Sequence, residues 1–389
     1  MLTWLAWLSI VSFEMRHLFF LFLLLGFGHL SPAQEAPAPA EAHSASVSLS
    51  GYISSSLNLG SGSGPYPYAL SPNNRNSFSL DVVALSLRQP LDEWLFDSGF
   101  RLDLWLGPDA TLLETGNDDT IHIRQSFFDL RIPLFDPRVT GSAQSLDLRF
   151  GVFDSPLGYE SLDRNSINPH HTRSWGFTIE PTVHTGLLAM YPGVDALING
   201  ESNFLFSLGI ANSIDPRING APANPHRKSL LSGFTWLVPD SFGHLSGSAF
   251  SAGYINGRTL SGADTVQNLY FAAGLPVISP KWDFALTYDS RMINGEGNDD
   301  SVWGAYMKYQ LSDKTSLNLR GEVFQEGSRL FSSESAAEQS DGYSLTSTFD
   351  YRLSENVISR AEWRWDHTEA RVNEHHDTQS WYLSLIYEF

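Results

Sequence analysis

The sequence contains no cysteine, so neither a disulfide framework nor a thiolate metal site is open to it. It is also short of basic residues: 24 Lys and Arg stand against 43 Asp and Glu, a formal net charge of −19. That balance excludes nucleic acid as a partner, because neutralising phosphates takes basic patches. Charge of either sign is sparse, at 17% of residues, and the Lys/Glu/Ala heptads that build long helices are missing. No stretch after the N-terminus reaches the roughly 18 apolar residues of a spanning helix. What the chain does have is turn formers and aromatics, with Gly 31, Phe 25, Tyr 14 and Trp 11, in a sequence that is 42% hydrophobic. A transmembrane barrel has such a composition, because lipid-facing and lumen-facing residues alternate and cancel in the average.

The last ten residues, Ser380 to Phe389, carry the pattern most plainly. Trp381, Leu383, Leu385, Tyr387 and Phe389 share one parity, and Tyr382, Ser384, Ile386 and Glu388 the other. A period of two over this length fits a strand that crosses a bilayer at a tilt, with aromatics at both interfaces. The same strand alone could edge a soluble sandwich, so the reading depends on repetition.

Repetition follows from Val47 onward. Alternating segments fall at 47–59, 77–89, 98–107, 120–132, 145–154, 182–191, 203–212, 229–238, 245–256 and 265–275, with six clearer ones after Trp282. Phe100, Leu102, Leu104 and Leu106 alternate with Arg101, Asp103 and Trp105, and Leu146, Leu148, Phe150 and Val152 with Asp147, Arg149 and Phe153. Arg320 and Glu322 oppose Leu319 and Val323, while Arg360, Glu362, Arg364 and Asp366 oppose Ala361, Trp363 and Trp365. Turning that last strand over would put four charges toward lipid at up to about 2–4 kcal/mol each. The expected fold is all-β: a transmembrane antiparallel β-barrel of about sixteen strands. Short turns such as 311–315 and 353–356 take turns with longer polar connections such as 256–264, 293–300, 327–340 and 371–378, as barrels with short periplasmic turns and long extracellular loops do.

The N-terminus reads as a targeting segment. Leu18 to Phe27 is solidly apolar, Arg16 precedes it, and Ser31-Pro32-Ala33 offers a small-x-small cleavage site. The expected organisation is a signal peptide over 1–33, with Met15 the better start, a flexible linker over 34–46 and the barrel over 47–389.

The longest irregular stretch, Asp154 to Pro181, follows the fifth strand. It holds Tyr159, Glu160, Asp163, Arg164 and Arg173, both signs of charge in one loop. A barrel of this size encloses an aqueous channel unless something folds into it. The loop could narrow that channel, with Arg101, Arg124 and Arg149 on strands three to five forming the wall opposite Glu160 and Asp163. The pattern does not set the phase of Arg124. The alternative is a loop that covers the mouth from outside.

Gly151 to Glu160, with Thr172-Arg173-Ser174 and Pro181 to Leu187, resembles the OmpL-like outer-membrane β-barrel porins. Members carry a Gly-Lys-Phe-like strand end, a Gly-x-Glu loop, a Ser-Arg-Ser element and a His-x-Gly strand; here Val152 stands for the Lys and Thr172 for the first Ser. The resemblance is sharpest over 147–191. It implies a passive channel without naming a solute, in the outer membrane of a Gram-negative-type bacterium, and by analogy a homotrimer.

Rival chemistry is thin. His170-His171 and His375-His376 fall on loops expected outside the membrane, but adjacent histidines in extended backbone point apart, so solvated side chains are the better reading than a metal site. The oxygen-rich 294–300 turn matches no calcium loop. No nucleophile elbow or phosphate loop occurs. The expectation is therefore a channel for small polar solutes, without cofactor or metal, in contact with outer-membrane lipid and lipopolysaccharide. Leu385, Tyr387 and Phe389 form the signal read by the barrel-assembly machinery. A non-conducting anchor or adhesin, its lumen filled by the charges of the fifteenth strand, is the first alternative. An outer-membrane hydrolase using His170, Ser174 and Asp163 is the second. Acidic loops, among them Glu114, Asp118, Asp299 and Asp300, give the expected channel a weak preference for cations.

Overall fold

The computed structural model describes residues 46–61, 76–91, 96–111, 121–135, 144–194, 202–214, 226–259, 262, 264–276, 281–294, 299–325, 340–370 and 374–389. The expected leader over 1–33 and nearly all of the linker lie outside these residues. Sixteen strands follow one another: β1 (Ser48–Ser61), β2 (Ser77–Gln89), β3 (Asp97–Leu106), β4 (Ile121–Phe135), β5 (Gln144–Asp154), β6 (Val183–Val194), β7 (Ser202–Ala211) and β8 (Ser229–Leu237). Then come β9 (Ala249–Arg258), β10 (Thr265–Pro276), β11 (Trp282–Ile293), β12 (Asp300–Ser312), β13 (Thr315–Gln325), β14 (Ser340–Arg352), β15 (Val357–Ala370) and β16 (Glu374–Glu388). Two short helices, α1 (Pro108–Thr111) and α2 (Trp175–Ile179), and a 3₁₀ turn at Asp240–Leu245 complete the described elements.

Each strand pairs antiparallel with its neighbour, and β1 pairs with β16, so the sheet closes. The closure is fixed by Tyr52 opposite Glu388 and Leu59 opposite Trp381, and by reciprocal backbone bonds of 3.0 Å between Gly51 and Phe389. Closure gives every described strand a partner on both sides, as backbone in lipid requires. The connection 155–182 leaves β5 at one end of the barrel, and the short turns 313–314 and 353–356 lie at the other.

The alternation sorts as the sequence pattern requires. Leu286, Trp303, Val323, Phe349, Trp381, Leu383 and Leu385 are exposed on the outer face. Such a continuous apolar exterior belongs in hydrocarbon rather than water. The opposite parity points inward and is buried.

Some boundaries differ from the sequence reading, each for a local reason. The strand expected at 245–256 begins at Ala249, because the 3₁₀ turn occupies 240–245. The loop expected over 371–378 is shorter: β16 resumes at Glu374, and His375 and His376 pair with Glu369 and Thr368 along β15. They are strand residues, not loop residues. Of the 294–300 turn, residues 295–298 lie outside the described set, while Asp300 pairs with Arg291 at 2.7 Å. Val152, expected on the lipid face, is buried in the cluster that includes Leu162 and Phe177. The phase breaks at Gly151, whose φ of 136° only glycine adopts freely.

A β-bulge accounts for the ambiguous phase of Arg124. Asp103 pairs with Gln125 and Leu104 with Ile123, so Arg124 is the extra residue, and both Arg124 and Gln125 turn inward.

Candidate functional site

The segment 155–182, hereafter the inner loop, leaves the end of β5 and lies inside the barrel. Its residues from Arg164 to Ile179 are mostly buried, covered by the inner faces of β1 and β10–β16.

The grip is on the loop's backbone. Glu362 accepts the amides of His171 (2.5 Å) and Thr172 (2.9 Å), and also the Thr172 hydroxyl (2.6 Å). Glu322 accepts the amide of Trp175 at 2.7 Å. On the acceptor side, Arg320 donates to the carbonyl of Thr172 at 3.0 Å, Arg364 to that of Arg173 at 2.5 Å, and Arg360 to that of Asn168 at 2.7 Å. The wall therefore supplies donors and acceptors that an irregular segment cannot find in itself. Each wall arginine is in turn neutralised: Arg320 by Glu322 and Glu160, Arg360 by Asp350, and Arg364 by Asp366. Buried charges without such partners would cost several kcal/mol apiece.

Helix α2 seats the return limb. Ser174 caps it by accepting from the amide of Phe177 at 2.9 Å, which is what a serine at an N-cap does. Trp175, fully buried, stacks on Phe324 with centroids 4.2 Å apart and donates its indole N–H to Asp366 at 2.9 Å. Ile179 and Val302 complete that cluster, and Asn268 of β10 donates to the carbonyl of Ile179 at 2.7 Å.

The expected constriction residues are distributed as follows. Glu160 is bonded to Arg320 (2.7 Å), Tyr306 (3.1 Å) and the Ser174 amide (3.0 Å). Tyr159 is 44% exposed and rests against Tyr306. Asp163 takes the Tyr52 hydroxyl and pairs with Arg124 at 3.2 Å, so Arg124 touches the loop acid rather than facing it across a gap. Arg164 is buried, bonded to Asp109 of α1 and to the carbonyl of His171 at 2.8 Å. Arg173 meets only carbonyls, of Leu162, Asp163 and His170. Burial, and then the neighbouring Arg164, push its guanidinium down to about 10. Arg101 and Arg149 belong to another arrangement: Arg101 bonds Asp103, and Arg149 clamps Asp129 with two bonds of 2.9 Å. Arg101 nevertheless lines one cavity together with Asp163 of the inner loop.

His170 and His171 are not solvated. His170 Nδ1 lies 2.7 Å from the Thr348 hydroxyl, and His171 stacks on Tyr382 at 4.7 Å. Burial, and next the arginines around them, hold both well below the usual imidazole range. Ser174 is occupied as a cap and Asp163 by Tyr52 and Arg124, so the suggested His170, Ser174 and Asp163 set does not assemble into a nucleophile and its base.

Sequence reasoning missed Tyr52, Asp109, Asn268, Tyr306, Thr348 and Tyr382, all of which touch the inner loop. A signal existed. Val82, Trp105, Phe324, Ile358 and Ile386 are apolar on the inward parity and buried, which a lumen holding only water would not require.

A closed sixteen-stranded antiparallel barrel, apolar outside and holding a long loop within, defines an integral outer-membrane barrel of the porin type. The chain belongs to the family described as "Putative beta-barrel porin-2, OmpL-like", whose profile matches residues 44–389. Solved structures with the same fold include an anion-selective porin from Comamonas acidovorans (9% identity, TM-score 0.57, covering 88% of this chain and 99% of that one). The outer-membrane channel DcaP of Acinetobacter baumannii matches at 10% identity and TM-score 0.55, covering 91% of this chain and 100% of that one. OmpT of Vibrio cholerae in a trimer form matches at 13% identity and TM-score 0.51, covering 88% and 99%. No curated protein matches the chain by sequence.

Proposed function

We propose that the protein is a diffusion porin for small hydrophilic solutes, its channel narrowed by the inner loop. The observation that carries this reading is the grip of Arg320, Glu322, Arg360, Glu362 and Arg364 on the backbone of residues 168–175. A loop merely draped over the mouth would have no use for buried charges deep on the barrel wall. Tyr159 and the Arg101, Arg131 and Arg149 side of the lumen would then line the remaining path. No catalytic role is assigned, since Ser174 caps α2, His170 meets Thr348, and Asp163 is held by Tyr52 and Arg124. Residues 1–33 serve as an export signal, 34–46 as a linker and 47–389 as the barrel. Leu385, Tyr387 and Phe389, all outward and half-exposed on the closing strand, suit recognition by the assembly machinery and later contact with lipid and lipopolysaccharide. A homotrimer is consistent with the trimer form of the Vibrio protein.

One observation favours the second reading, a non-conducting anchor: Arg320, Glu322, Arg360, Glu362, Arg364 and Asp366 are all at most 3% exposed, so this wall is sealed. Planar-bilayer recording of the folded protein decides. Stepwise conductance, with a weak cation preference, supports the porin. Folded protein giving no steps leaves the anchor.

A further inference from the structure

Where the inner loop returns toward β6, two carboxyl groups meet. Glu180, the residue that ends α2, hydrogen-bonds the carboxyl of Asp289 on the inner face of β11. Asp289 is 4% exposed, and its Oδ1 has no hydrogen-bond partner. The fit is tight. A methyl group on Gly158, whose φ is 110°, would come within 2.6 Å of Glu180 Oε2, and one on Gly176 within 2.5 Å of Asp289 Oδ2.

The groups that face this pair offer no positive charge. Glu160, on the outgoing limb of the loop, adds a carboxylate whose own partners are Arg320 of β13, Tyr306 of β12 and the Ser174 amide. Tyr270 of β10 presents a phenol to both acids, and Tyr159 lies next to Glu160. No described lysine or arginine is among the charges acting on either acid. Burial, and then the neighbouring Asp289, hold the Glu180 carboxyl well above the usual range.

We propose that Glu180 and Asp289 share one proton and form a pH-sensitive latch that closes the return limb of the inner loop onto β11 in acid and loosens it in alkali. Two carboxylates in hydrogen-bond contact away from bulk water cannot both ionise without strong repulsion, so one proton belongs to the pair. The limb's other attachments, Trp175 to Glu322 and Asp366 and Asn268 to Ile179, need no shared proton. A carboxyl that binds its proton more tightly in the closed state favours closure fully below the ordinary carboxylate range. That advantage is lost as the pH rises through the raised value.

The lack of cysteine allows a single-site test. Thr178→Cys, half-buried on α2, carries a nitroxide in the folded full-length protein in detergent, and its mobility is followed by electron paramagnetic resonance. The mobile fraction rises about tenfold between about pH 5 and pH 9. The rise disappears in Glu180→Gln and Asp289→Asn, because an amide keeps the hydrogen bond at every pH. Mobility that ignores pH, or that rises equally in the amide variants, overturns the latch. This readout does not involve conductance, so the outcome is independent of whether the barrel passes solutes.

Discussion

The lumen has two unlike walls built from the same two residue types. On β13–β15, Arg320, Arg360 and Arg364 are at most 1% exposed and bind carbonyls of the inner loop. On β3–β5 the side chains of Arg101, Arg131 and Arg149 keep 33, 22 and 24% of their surface exposed and bind aspartates of the wall itself. Arg131 and Arg149 each use Nε and Nη2 to clamp one carboxylate. One wall is a mould for the loop; the other, apart from Arg124 where it pairs with Asp163, is a finished surface. The difference teaches that inward polarity does not by itself mean a water-lining side chain, because a buried charge can equally be a splint for irregular backbone.

The contrast is broken most strongly by Glu362→Ala. That change strands two loop amides and unbalances the buried arginines, at a cost of about 3–5 kcal/mol to the docked loop. Single-channel conductance should rise severalfold; an unchanged value would mean the loop stays put without its carboxylate. Trp175→Ala comes next. Removing a fully buried indole stacked on Phe324 should cost about 3–5 kcal/mol and lower the temperature at which the barrel loses its heat-resistant migration on gels. Arg149→Ala on the open wall should leave folding nearly intact, within about 1 kcal/mol, yet expose Asp129 and move the reversal potential toward cations. If it instead disturbs the loop, the two walls are not distinct. The smallest effect expected is of salt: any cation preference set by loop charges fades as ionic strength rises, since exposed charges are screened beyond about 8–10 Å.

The barrel was legible because a strand's period of two meets two solvents, shown most plainly by Trp381, Leu383 and Leu385 against Tyr382 and Ser384 and made decisive by its repetition along the chain. The bulge at Arg124 and the break at Gly151 blurred that signal locally, where one extra or left-handed residue shifts the phase. The inner loop was visible as a long segment with mixed charge, but its partners were not. Glu362 reaches amides at 171 and 172, and Arg320 reaches Glu160, across some 160 to 190 residues of sequence. Backbone amides carry no residue-specific signature, so no local pattern announces them. The inward Ile358, Ile386 and Phe324 were the readable hint, since apolar groups on a lumen face need something to pack against.

The central claim is that a loop held by the β13–β15 wall narrows a water-filled barrel. Single-channel recording of the parent beside a variant whose loop tip, residues 161–169, is replaced by a short Gly-Ser link tests it directly. The account predicts discrete steps from the parent and clearly larger steps from the shortened loop. Equal steps from the two, or none from either folded protein, would contradict it.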